Sequence, residues 1–423
     1  MIKKIKYKLK SEGWLRFLKL CGLYSIINLL AFPIALIIIA LSPWIHIRLI
    51  RLFSSRIGHY ALNTEFLLCM LEEQKYKNKK YCKLFFYPVS TNTICNLQLH
   101  RMWKRVIPIL PFAFLCHQID RFVCYLGGKK YSDDPLRIFS VAEGYQDRWQ
   151  FLDKTTQCHL SFTAAEKRQA ETILRKLSIP AAAPYVCLLM READYLNIHM
   201  PTMNWSYHDY RNVNIENYYE AAHYLAKQGY RVIRMGKHVK TKFDVPHKNI
   251  IDYANSPFRS DLMDIYLTAH CTFMMSTSTG LDAIAQMFRR PILVTDFPLC
   301  DLKTWLKWDL VIPKKILNVH NNQLITFKEM YLEHNICQTE IVNRFQKKQW
   351  VFIDNTEQEL LHSVEEMVKR LNNEWRESAE DRLLQQQFWS HYPLVLPEGV
   401  SSHQDLKLRL GSAFLRSHYS LLV

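Results

Sequence analysis

Residues 271–296 read CTFMMSTSTGLDAIAQMFRRPILVTD. The apolar run 271–275 has the length of a buried strand. A hydroxyl-rich turn follows, Ser276, Thr277, Ser278, Thr279 and Gly280, and then a helical pattern through Phe288. A second apolar run, 291–295, comes at once and ends at Asp296. Strand, small polar turn, helix, strand is a crossover unit of a parallel sheet, and its turn offers backbone N–H groups to an anion. The hydroxyls add donors, and Gly280 lets a ligand approach the main chain closely. The pattern predicts a phosphate cradle. Ser and Thr also cap ordinary helices, so the same residues fit a plain crossover.

The same alternation extends outward on both sides. Strands are predicted at 185–190, 230–235 and 249–253. Helix 214–228 carries Ile215, Tyr219, Ala222 and Ala226 on one face and stops at Gly229, and helix 260–269 starts on Ser260. Short loops between alternating strands and helices imply a doubly wound parallel sheet, whose ligands bind beyond the carboxyl ends of the strands. Those ends carry Arg191, Gly236 with Lys237, Asp252 with Tyr253, the 276–280 turn, and Asp296. Earlier in the chain the pattern is less regular. Strands at 47–53 and 83–88, a turn at 54–59 and helices at 62–74 and 92–106 suggest a first α/β lobe. Helix 163–177 has a capping-box signature in Thr163 and Glu166, and SIPAAAP at 178–184 reads as a linker between lobes. The expected organisation is therefore 1–46 as a basic, hydrophobic segment, 47–178 and 179–354 as two Rossmann-like lobes, and 355–423 as a helical extension. That extension either returns to the first lobe or packs peripherally.

The chain has 423 residues, 55 Lys and Arg against 39 Asp and Glu, and a formal net charge of +16. Such a surface suits anionic phospholipid or anionic substrates. Nucleic acid would suit the charge too, but there is no zinc-finger spacing, no RNP-like strand and no long basic block with interleaved aromatics, so none is expected as a partner. The 11 cysteines form no C-x-x-C pair, which points to reduced core thiols in a cytosolic compartment and away from zinc. From Cys21 to His46 there is no Asp, Glu, Lys or Arg, while five lysines crowd the first ten residues. This run is long enough to cross a bilayer. Both flanks are basic, with Arg48, Arg51 and Arg56 following, so a re-entrant or interfacial hairpin bent at Pro33 and Pro43 keeps both on the cytoplasmic face of the inner membrane.

The phrases RIGHYALNTE (56–65), MREADYLN (190–197), HDYRNVNIENYYEAAHYLAKQGYRVIRMGK (208–237) and IIDYANSPFRSDLMDIYLTAHCTFMMSTSTGLDAIAQMFRRP (250–291) resemble a family of bacterial glycosyltransferases associated with surface polysaccharides. The resemblance covers most of the second lobe and one turn of the first. It implies a GT-B-like fold, two Rossmann-like lobes with a nucleotide sugar on the second and the acceptor in the cleft. Glu192 stands where the family tends to have Asp, and near Asp296 the family often has Asn, so no catalytic role is assigned to either position.

A GT-B site stabilises a leaving diphosphate with Arg, Lys and helix N-termini. No D-x-D triplet occurs in the sequence, so no metal and no other cofactor is expected. The diphosphate is assigned to Arg191, Arg211, Asn212, Lys237 and the turn Ser276, Thr277, Ser278, Thr279, Gly280. Asp282, in the first turn of the following helix, either holds sugar hydroxyls or favours the helix dipole. Asp252 and Tyr253 are placed beside the base or ribose. His59 and Glu65, or alternatively Asp194, are the candidates for activating an acceptor hydroxyl. The expected partners are a nucleotide-sugar donor, a glycan or lipid-linked glycan acceptor and the membrane surface. A sugar-nucleotide epimerase, a polyol-phosphate transferase and a non-catalytic membrane-tethered binder are the competing readings.

Overall fold

A computed structural model describes residues 14–72, 82–88, 93–132, 147, 149–155, 157–180, 182–192, 206–302, 308–333, 338–391, 401–402 and 405–422. The chain divides into two compact units, Met1–Gly144 and Tyr145–Val423.

In the first unit, helix α1 (Trp14–Ala40) leads through a turn into β1 (His46–Leu52). Helix α2 (Ile57–Glu72) crosses over to β2 (Cys82–Pro88), which pairs with β1 in parallel from His46↔Cys82 to Leu52↔Pro88. Helices α3 (Leu97–Val106) and α4 (Ala113–Leu126) follow, and a parallel bridge from Phe86 to Ile109 extends the sheet between them. Among the described residues the first lobe's sheet is thus two strands and a bridge. Helix α2 is apolar around its circumference, and its residues from Gly58 to Met70 are nearly all buried, as a central crossover helix requires. Asn96 caps α3 by accepting from the Leu99 N–H at 2.8 Å.

The hairpin expected within 21–46 is not formed. Helix α1 runs unbroken through Pro33. Ala31 and Ala35, on either side of that proline, pack on Ile119 and Val123 of α4, and this contact holds the helix together across the lost hydrogen bond. The chain reverses only at the turn containing Pro43.

The second unit begins before the expected linker. Helix α5 (Ala164–Lys176) has the predicted reciprocal Thr163–Glu166 capping box. Phe162, just ahead of it, stacks on Phe288 at 5.9 Å and meets Tyr266 edge-on at 5.1 Å. These contacts draw the helix into the second unit, so the division falls at Gly144 rather than at 178–184.

A seven-stranded sheet forms the core. Its strands are β3 (Tyr185–Leu189), β4 (Arg231–Arg234), β5 (Ile250–Ile251), β6 (Phe273–Ser276), β7 (Ile292–Phe297), β8 (Leu310–Pro313) and, late in the chain, β12 (Arg409–Leu410). All neighbours are parallel, in the order β12-β8-β7-β6-β3-β4-β5. Counted from β3, this is the Rossmann order 3-2-1-4-5-6 with one strand added. The crossovers include α6 (Tyr219–Lys227), α7 (Asp261–His270) and α8 (Asp282–Met287). Strands β9 (Lys315–Asn318), β10 (Gln323–Leu324) and β11 (Trp350–Ile353) make a small antiparallel sheet. Helix α9 (Glu357–Leu371), from the expected C-terminal extension, packs on α6, β7 and β8 of this second unit.

Candidate functional site

The strand order reverses between β3 and β6, and the carboxyl ends of these two strands define the switch point of the sheet. Thr277, directly after β6, fastens the two tips. Its N–H donates to the Leu189 carbonyl at 3.1 Å, and its hydroxyl accepts from the Arg191 N–H at 3.0 Å. Ser278 then takes a left-handed φ of 56°. That kink carries Ser278, Thr279 and Gly280 outward to half-buried positions, while Ser276 and Thr277 stay buried.

Arg211 reaches the turn from a 3-10 helix, Ser206–Arg211, and donates to the Ser278 carbonyl at 2.5 Å. Asn212 follows it, half-buried, with its carbonyl held by the buried Lys314 ammonium at 2.7 Å. Lys314 also pairs with Asp354 at 2.6 Å, and Asp354 accepts from the Asn214 N–H at 2.9 Å. The segment carrying Arg211 is therefore pinned to the tip of β8. Next to it, Asp296 at the end of β7 accepts from the Tyr218 hydroxyl and the Asn355 N–H, both at 2.6 Å. Burial pushes the Asp296 carboxyl up to about 6, against the pull of Lys314.

Asp282 lies behind the turn, 3% exposed. Burial pushes its carboxyl up to about 7. The Arg211 guanidinium, the backbone amides of Ala283 and Thr279 and the nearby Ser276 hydroxyl pull the other way without offsetting it. Neither Asp282 Oδ2 nor Ser276 Oγ has a hydrogen bond of good geometry. The result is a buried acid whose carboxyl is held well above the usual carboxylate range, set beside a guanidinium that points at an open turn. Helix α8 has six residues, too few for a large dipole, so the turn's anion affinity rests on Arg211 and local amides.

On the other half of the sheet the charges are spent on each other. Arg234, fully buried at the end of β4, bonds Glu192 and Asp252, the latter at 3.3 Å. Glu192 also accepts from the N–H groups of Lys240 and Thr241 at 2.9 and 3.1 Å. Asp252 accepts from the Phe243 N–H at 3.0 Å and the Asn255 amide at 2.7 Å. Tyr253 is fully buried and donates to Asp264 at 2.9 Å. Tyr253 is thus held within the frame with no exposed face for the base or ribose contact expected of it, while Asp252, partly exposed, is engaged by Arg234, the Phe243 N–H and the Asn255 amide. Lys237, half-buried after β4, sits on this side.

The structure thus gathers Arg191, Arg211, Asn212, Ser276, Thr277, Ser278, Thr279, Gly280 and Asp282 at the switch point, and leaves Asp252 and Tyr253 out. Arg234 and Lys314 were not foreseen. A charged residue inside the apolar run YRVIRM was the available signal for the first, since a buried cation demands partners.

In the first unit His59 lies in the first turn of α2, not on the preceding loop, because the helix starts at Ile57. Burial lowers the His59 pKa, Arg56 lowers it further, and the Asn63 side chain acts in the opposite sense. Its ring lies 5.4 Å from Phe53. Glu65 is fully buried in the same helix. Six residues apart, the two side chains leave α2 in different directions. Asp194 lies outside the described residues.

No family model matches the chain, and no curated protein matches it. Solved structures to which it is similar include the glycosyl transferase family 9 protein from Veillonella parvula, at 10% identity over 72% of this chain and 97% of that one, with a TM-score of 0.41. The Escherichia coli ADP-heptose LPS heptosyltransferase II is similar at 11% identity over 71% and 98%, with a TM-score of 0.35. Escherichia coli heptosyltransferase WaaC with ADP-2-deoxy-2-fluoro heptose is similar at 13% identity over 72% and 99%, with a TM-score of 0.31.

Proposed function

We propose that the chain is a glycosyltransferase that binds a nucleotide-sugar donor at the switch point of the second unit and passes the sugar to a glycan acceptor. The observation that carries this reading is the half-exposed Arg211 bonded to the turn after β6, at the point of a Rossmann-ordered sheet where phosphate ligands are bound. Arg191, Arg211 and the amides of Ser278, Thr279 and Gly280 would carry the leaving diphosphate, with no metal required. Asp282 would set the position of Arg211 from behind.

In a GT-B-like reading the donor belongs to the second unit and the acceptor to the first. His59 fits the base of an inverting reaction: burial and Arg56 favour its neutral, proton-accepting form. The basic, apolar N-terminus suits a lipid-linked acceptor at the cytoplasmic face of the inner membrane.

The test is to offer the purified full chain, in detergent, a panel of nucleotide sugars while recording thermal stabilisation and release of nucleoside diphosphate. Stabilisation by one nucleotide class, with diphosphate released only when an acceptor is present, is expected. Stabilisation with the sugar nucleotide recovered unchanged would make the chain a binder, isomerisation of the sugar nucleotide without release of diphosphate would make it an epimerase, and silence in both channels would end the reading.

A further inference from the structure

We propose that the first unit seats on an anionic phospholipid bilayer through a two-helix face made by α1 and α4 together, lying in the plane of the interface and not crossing it. The inference rests on the reading that α1 is membrane-associated and adds where, how deep and with what second element.

Among the described residues one helix is apolar and long enough to cross a membrane: α1, over Cys21–Ala40, with a mean hydropathy of 2.4. Only one stripe of it is covered, where Ala31, Ala35 and Ile38 pack on Ile119 and Val123 of α4. At the edge of that stripe Phe32 meets Phe122 edge-on at 5.5 Å, which joins the exposed sides of the two helices. Leu29 and Leu36 lie a turn away from Phe32 and are 76% and 45% exposed. Phe114 and Tyr125, on α4, are 53% and 86% exposed. An apolar surface spread over two elements needs a cover that water does not supply.

The surroundings are cationic. Lys19 is exposed on α1, Arg121 on α4, and Lys129 and Lys130 just past α4. No Asp or Glu lies in 14–64, and the exposed stripe of α4 has none, Asp120 being buried against Tyr87 at 3.0 Å. Cations around an apolar face complement anionic headgroups.

Packing rules out a crossing. Lys130 Nζ donates to the Ser42 carbonyl at 3.5 Å, and Arg48 Nη2 to the Lys130 carbonyl at 2.9 Å, so α1 and α4 end at the same place and run in the same direction. The second half of α1 is therefore bound to a helix that Asp120 ties to β2. A polar sheet cannot follow it into hydrocarbon. The apolar part of α1 ahead of that contact, residues 21–30, is about 15 Å long against about 30 Å of bilayer core. Lying flat, α1 keeps Lys19 at headgroup depth.

The experiment places a fluorescent non-natural residue at position 29 or 114 of the full chain and adds vesicles of phosphatidylglycerol and phosphatidylcholine bearing quenchers at shallow or deep acyl positions. Quenching of both probes by the shallow label is expected. Cleavage of an N-terminal tag by external protease in intact vesicles should accompany it. A protected tag, or quenching at 29 with none at 114, overturns the two-helix face while leaving membrane association intact. No quenching at either position overturns membrane association itself. A Phe114→Glu/Tyr125→Glu variant, checked for an unchanged thermal melt, is expected to bind the vesicles about tenfold more weakly. Undiminished binding would remove α4 from the surface, and equal binding to pure phosphatidylcholine would remove the anionic preference.

Discussion

Two arginines stand on the same edge of the seven-stranded sheet and do opposite things. Arg234, at the tip of β4, is fully buried and answered by two carboxylates that also accept from backbone N–H groups, Glu192 from Lys240 and Thr241 and Asp252 from Phe243. Arg211, at the switch point, is half-exposed; it bonds a carbonyl, and burial raises the pKa of its carboxyl neighbour, Asp282, so that it neutralises less of the charge. A buried charge gripped by two carboxylates is locked in the frame. A cation with incomplete neutralisation at an open turn keeps attraction to spare for an incoming anion. Arginine at a strand tip is thus no site by itself; what marks one is how far its charge is already used.

The largest effect should come from breaking the paired side. Arg234→Met leaves Glu192 and Asp252 facing each other without their cation, and a loss of about 3–5 kcal/mol in denaturant unfolding is expected. A variant as stable as the parent would show the two carboxylates to be solvated. Next comes the acid at the switch point. Folding holds the Asp282 proton up to about pH 7, whereas the unfolded chain releases it near 3.8. The native state therefore binds more protons in that window, and stability falls as pH rises through it, by about 1.4 kcal/mol per unit. Asp282→Asn should remove this slope, so the unfolding free energies of variant and parent diverge from about pH 4 to 7 and run parallel above; curves parallel throughout would mean that Asp282 titrates normally.

Arg211→Ala tests the open side. Donor affinity, measured by calorimetry, should drop by about 1.5–3 kcal/mol if the guanidinium bonds phosphate, with little change in melting temperature. If affinity holds while stability falls, Arg211 belongs with Arg234. The smallest effect is expected for Tyr253→Phe, which costs about 1 kcal/mol of stability through the lost bond to Asp264. Donor binding should not change; a loss there would return Tyr253 to the site.

Much of this was legible. The crossover at 271–296 folds as its pattern requires, and Thr163 with Glu166 forms the capping box its spacing announces. Local periodicity and short-range hydrogen bonding fix such features. The pairing of Arg234 with Glu192 was not legible, since 42 residues separate them and only sheet register brings them together. The burial of Tyr253 was illegible for the same reason: being at a strand tip is a sequence property, whereas being covered is not. Helix α1 shows the limit in another form, because its composition says apolar and nothing in it says which stripe α4 will cover.

By itself the sequence determined the alternation of strands and helices in the second unit, the polar turn after β6, and the apolar, basic N-terminus, since each is set by side chains a few residues apart. Only the tertiary structure decided which charges at the sheet's edge neutralise each other, which stay open at the switch point, and which face of α1 stays bare, because these depend on contacts between segments far apart in the chain.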